Sequence, residues 1–173
     1  MKNWRRAMII PGLLLIMITF IYSVWQKEQV LENGEQLLIK LAPVDPRSLM
    51  QGDYMVLNYH IPVELANAAR KQKEGDLVYT KDQNNIAQFQ RLYDENVPLA
   101  ENEKKLHYRA HGWRQVDLGA NSFFFQEGQA DKFNHAAYGE IRIAENGQSV
   151  LVGLRDEKYQ LLGWTSGLAA GRE

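Results

Sequence analysis

The chain has 173 residues, enough for one domain of ordinary size and too few for two. Its 45% hydrophobic and 24% charged content, with aromatic residues throughout, excludes a disordered chain. A net charge of −1 with no basic stripe argues against nucleic acid as a partner, and the lack of cysteine excludes disulfides, thiolate metal sites and a cysteine nucleophile.

The near-neutral balance hides an asymmetry. Lys2, Arg5 and Arg6 precede the first apolar run, no acid appears before Glu28, and the remainder of the chain is acidic. Residues 7–25, "AMIIPGLLLIMITFIYSVW", carry no charge. As a helix they span roughly 28 Å, close to the hydrocarbon thickness of a bilayer. Trp4 at one end and Tyr22 with Trp25 at the other are the rings expected at the two interfaces, and Pro11 and Gly12 fall in the first turns of the run. A cleaved signal peptide has a shorter apolar core and a small-residue cleavage site, which "FIYSVWQKE" does not offer. The segment reads as a single transmembrane anchor over residues 1–26. The positive-inside rule leaves its amino terminus in the cytoplasm and sends the rest across, in a bacterium from the inner membrane to the periplasm.

Residues 27–163 read as one extracytoplasmic domain and residues 164–173 as a loosely held tail. A strand is expected over 35–41. In "DPRSLMQG" the helix cap Asp45, Pro46 and the stop at Gly52 predict one helical turn. Residues 54–61 form a strand closed by Pro62, and "PVELANAARKQKEG" a short helix that ends at Gly75. Strands follow at 77–80, 86–92, 106–113 and 122–126, and "GQADKFNHAAYG" holds a second short helix. Asn146-Gly147 marks a hairpin between two β-prone arms, and a last strand lies over 158–162. The fold class is α+β: an amino-terminal transmembrane helix, then a mostly antiparallel β domain with one or two short helices.

The passage that looks written to a rule is "QGDYMVLNYHIP". Strand alternation sends Met55, Leu57, Tyr59 and Ile61 to the core face, and Tyr54, Val56, Asn58 and His60 to the other. Gly52 supplies a turn conformation and Asp53 accepts turn N–H bonds. Tyr54, Asn58 and His60 are the residues free to meet a partner.

Membrane-anchored signal peptidases also combine an anchor, an extracytoplasmic β domain and a Gly-Asp box. Their nucleophilic serine stands eight residues before the box, where this chain has Val44. Ser48 lies out of that register, and Lys81, the candidate base, sits in the polar stretch "YTKDQNN". A divergent hydrolase of this kind is the alternative to a non-catalytic domain. His107 and His111 in "HYRAH" share one face of a strand but stand about 13 Å apart, too far for one ion. His60 and His135 are remote in sequence, so no metal site, no cofactor and no catalytic residue is expected. Glu127 with Gly128, after "SFFFQ", reads as a cap for the following helix.

"GDYMVLNY" matches the pattern G-D-Y-x-x-L-x-Y in full, and the chain resembles the GDYXXLXY family of bacterial membrane-anchored proteins named for it. "PVDPRSLMQGDYMVLNYHI" is similar to that family's central block, and "SFFFQEGQADKFNHAAYGEIRIAENGQSVLVGLRDEKYQLLG" to its carboxy-terminal part. The resemblance implies a single-pass anchored extracytoplasmic domain of a kind often encoded beside multi-pass membrane proteins. With the absence of a complete catalytic set, the expectation is a non-catalytic envelope interaction module that works with such a partner. It carries over Gly52, Asp53, Tyr54, Leu57 and Tyr59 as a pattern, without a catalytic role and without a ligand.

Overall fold

The computed structural model describes residues 2–42, 54–111, 115–126 and 128–164. The expected helical turn over 45–52, Gly52, Asp53, Ser48 and Glu127 lie outside the described residues, as do residues 165–173 of the tail.

Helix α1 runs unbroken from Lys2–Asn33. Because it starts well before the apolar run, Pro11 lies inside it rather than in its first turns, and the carbonyl four residues earlier loses its helical donor. The large apolar side chains from Ile9 to Trp25 are 42–68% exposed, and the helix is long and apolar enough to cross a membrane, as a single-pass anchor would be. Thr19 turns its hydroxyl back onto the Leu15 carbonyl at 2.6 Å, so the one hydroxyl of its turn is satisfied within the helix. Beyond residue 26 the helix does not end. It continues for two more turns to Asn33, and Val30 is buried there against the domain.

The domain is α+β and antiparallel within its sheets. β1 (Glu35–Lys40), β8 (Tyr138–Ile143), β9 (Ser149–Arg155) and β10 (Leu161–Trp164) form one four-stranded sheet in the order β1-β8-β9-β10. β3 (Glu74–Lys81), β4 (Ala87–Leu92), β5 (Lys104–His111) and β6 (Gln115–Asp117) form a second, ordered β4-β3-β5-β6. β2 (Tyr54–Val56) and β7 (Ser122–Phe124) make a separate ribbon. Apolar residues from all three, among them Leu37, Ile141, Leu77, Tyr108 and Phe123, pack into one core. Two helices complete the fold: α2 (Val63–Gln72), which buries Ala66 and Ala69, and the single turn α3 (Ala130–Phe133), which buries Phe133.

Several boundaries differ from expectation: β2 ends at Val56 and β7 at Phe124, short of the expected strands over 54–61 and 122–126, and others shift for local reasons. α2 stops at Gln72, not at Gly75. Lys73 takes the left-handed position (φ 68°) and returns its N–H to the Ala69 carbonyl at 3.0 Å. Gly75 is instead a strand residue, and a Cβ there would stand 3.1 Å from the Tyr108 hydroxyl. The last strand begins at Leu161, because Asp156 accepts the N–H groups of Lys158 and Gln160 and ties residues 156–160 into a turn. β5 starts at Lys104, two residues earlier than the pattern suggested, and residues 112–113 of the expected strand lie outside the described residues. The Asn146-Gly147 hairpin is present, with Gly147 at φ 86°.

A buried ion pair stiffens the first sheet. Glu140, 1% exposed, accepts from Arg155 Nε at 2.6 Å and from Gln36 Nε2 at 2.8 Å, which joins β1, β8 and β9. Both carboxylate oxygens are thereby satisfied, the condition under which a buried charge is tolerated.

Candidate functional site

The motif strand changes partners halfway along. Tyr54, Met55 and Val56 pair with Phe124, Phe123 and Ser122 of β7. Leu57 gives its N–H to the Asn121 carbonyl, and its own carbonyl accepts from Gln115 Nε2 at 3.0 Å. From Asn58 onward the chain joins the end of β1: Asn58 O accepts the Ala42 N–H at 2.7 Å, and His60 donates to Lys40 O at 2.8 Å. Leu57 is therefore the pivot between the ribbon and the first sheet.

The alternation read from the sequence holds across that pivot. Met55, Leu57 and Tyr59 are buried, and Ile61 packs against the core. Tyr59 donates its hydroxyl to the Ala120 carbonyl at 2.7 Å. Burial, reinforced by the negative charge of Asp117, pushes that hydroxyl far above the ordinary tyrosine range, so it stays a donor. Three of the motif's residues thus have defined places. Leu57 and Tyr59 hold the core, and Tyr54 lies on the ribbon's outer side with its ring 5.7 Å from that of Phe124.

The outer residues do not form a single site. His60 is exposed, Tyr54 is engaged with Phe124, and Asn58 opens onto a groove of about 620 Å³ beside the strand. Val56 lines the same groove, as do Lys40, His135, Asp156 and Lys158. These four were not legible as neighbours of the motif. They come from the end of β1 and from two turns, about 75 and 100 residues away in sequence, and no spacing pattern links them.

At the other end of the first sheet, where α1 enters the domain, charge is concentrated. Glu35 is 2.5 Å from both Lys81 Nζ and Lys104 Nζ, and Lys81 also donates to the Gln36 carbonyl. Burial pushes the Glu35 carboxyl up, but the hydrogen bonds and charges of Lys104 and Lys81 outweigh it and hold it below the usual carboxylate range. Lys81 thus joins β1 to β3 through Glu35 and the Gln36 carbonyl. On β5, His107 bridges Asp76 (3.0 Å) and Glu74 (3.2 Å), and Arg109 also reaches Glu74. Hydrogen bonds from Arg109 and then His107 keep the Glu74 carboxyl below its ordinary range. Among the described residues no three His, Asp or Glu side chains converge as metal ligands would.

A family model described as GDYXXLXY protein matches residues 16–154. No curated protein and no solved structure matches the chain. The match covers the second half of α1, the motif strand, the second sheet and the first sheet as far as Leu154, without β10, and the chain belongs to the GDYXXLXY family.

Proposed function

We propose that this protein is a membrane-anchored, non-catalytic interaction module that works with a multi-pass membrane protein. α1 spans the inner membrane with its amino terminus in the cytoplasm, and the domain stands in the periplasm. The observation that carries this reading is the continuity of α1. An exposed apolar surface over residues 9–25 passes without a break into two turns that dock on the domain. No flexible linker separates the two, so the domain is held in one pose over the bilayer, as suits a module that meets a partner in the same membrane. The charges of Lys2, Arg5 and Arg6 set the orientation. The partner-facing surface is centred on the groove beside Asn58, with Tyr54 before it and His60 after it along the motif strand.

Isolation of the full chain from native membranes in a mild detergent tests this. A multi-pass membrane protein co-purifies with the wild type, and its recovery drops for the Tyr54→Ala/Asn58→Ala/His60→Ala variant. Equal recovery from both, or no membrane protein with either, contradicts the reading. Because the chain contains no cysteine, a single introduced Cys, such as Glu157→Cys, reports orientation by its reaction with a membrane-impermeant reagent on whole cells.

A further inference from the structure

The docked turns of α1 are flanked by two cavities of different charge. One, of about 860 Å³, has Lys104 and Lys105 on its wall, but Glu35, Glu103 and Glu145 line it too. The other, of about 470 Å³, follows one stripe of the helix, Ser23, Gln26, Lys27 and Val30, spaced three and four residues apart. Its far wall carries Arg109 and His107 of β5, and Asp117 is the only carboxylate among its described lining residues.

This second cavity is rich in donors. Lys27 is exposed and has no partner among the described residues. Arg109 gives one N–H to Glu74 at 3.0 Å, and its guanidinium carries further donors. Glu74 and Asp76 hold His107 from the side of β3. Ser149 lines the cavity at 8% exposure, and its Oγ has no hydrogen-bond partner. It lies against Gly119, at φ 99°, where a Cβ would come within 2.5 Å of that oxygen. A side chain at position 119 would close the space that the glycine leaves.

The cavity's depth in the membrane follows from the helix. Tyr22 and Trp25, with ring centroids 6.2 Å apart, mark the end of the apolar run, and Ser23 sits between them. From Ser23 to Val30 the helix rises about 10 Å, whereas the polar layer outside the hydrocarbon is roughly 5–8 Å thick on each side. With α1 across the bilayer, the cavity starts at the hydrocarbon edge beside Ser23 and runs through the headgroup layer, where Lys27 stands about 3 Å beyond Trp25.

We propose that this cavity is a binding site for the phosphate headgroup of an anionic phospholipid, held between Lys27 of α1 and Arg109 of β5, with the Ser149 hydroxyl beneath. The site rests on the reading of α1 as membrane-spanning. It fixes the domain's rotation about the helix axis, so that the motif strand is presented in one direction along the membrane.

The test uses the full chain with phosphatidylglycerol and phosphatidylcholine in equal amounts. Bound lipid is counted by native mass spectrometry from detergent, and flotation with vesicles of the same composition is run alongside. The wild type floats and retains phosphatidylglycerol in preference. Lys27→Ala and Arg109→Ala each lower that retention by about fivefold while flotation persists. Lys132→Ala and Lys158→Ala, which remove the same charge from other exposed positions, leave it unchanged. If the chain floats but shows no preference, or if the distant pair loses lipid equally, the site is refuted and the anchor stands. A chain that does not float refutes the anchor and the site together. If inorganic phosphate binds the lipid-free chain with the same dependence on Lys27 and Arg109 and no phosphatidylglycerol is retained, the cavity is a site for soluble phosphate and the headgroup assignment falls.

Discussion

The two faces of the motif strand have the same sequence origin and opposite fates. On one, Met55, Leu57 and Tyr59 are buried, and each motif residue there has a single place: Leu57 at the pivot between ribbon and sheet, Tyr59 bonded to Ala120. On the other, Tyr54, Asn58 and His60 lie along seven residues of chain yet meet different surroundings, an aromatic neighbour, a groove and solvent. A pattern such as G-D-Y-x-x-L-x-Y therefore mixes two kinds of constraint. Its leucine and second tyrosine are demanded by packing. Its first tyrosine is not, and what that residue does has to be sought outside the core.

The comparison predicts a descending series of effects. Leu57→Ala leaves a cavity at the pivot and lowers stability by about 2–5 kcal/mol, read from the denaturant midpoint of the detergent-solubilised chain. Tyr59→Phe keeps the ring but strands the Ala120 carbonyl, at a cost of about 1–3 kcal/mol. The same tyrosine predicts a response to alkali. Its pKa in the fold is raised, so the stability it contributes is complete below the unfolded-state value of about 10 and is lost as the pH climbs from there. One unit above that value the loss is about 1.4 kcal/mol, and Tyr59→Phe unfolds with a correspondingly shallower alkaline limb. Tyr54→Ala removes the contact of a half-buried ring with the exposed Phe124 and costs about 0.5–1 kcal/mol. His60→Ala changes stability by less than about 0.5 kcal/mol. Should His60 or Tyr54 prove as costly as Leu57, the separation of the two faces fails.

Where side chains repeat with a period, the sequence was readable. The uncharged run predicted α1, alternation assigned the faces of residues 54–61, and Asn146-Gly147 located the hairpin. Features set by hydrogen bonds between distant segments were not readable. The left-handed residue that ends α2 is Lys73, which carries no glycine signal, and the turn that delays β10 depends on Asp156 accepting two N–H groups. The continuation of α1 to Asn33 was hidden because its last two turns are polar apart from Val30 and Leu31, so composition alone marked an end where the backbone has none. The groove beside Asn58 and the cavity beside Lys27 share this character. Each is assembled from short stretches far apart in the chain, and only the fold brings them together.

The claim that the outer face meets a membrane partner is tested most directly by a photocrosslinking residue in place of Asn58, activated in native membranes. The account predicts one adduct, with a multi-pass membrane protein. A folded, membrane-bound chain that gives no protein adduct from this position would contradict it.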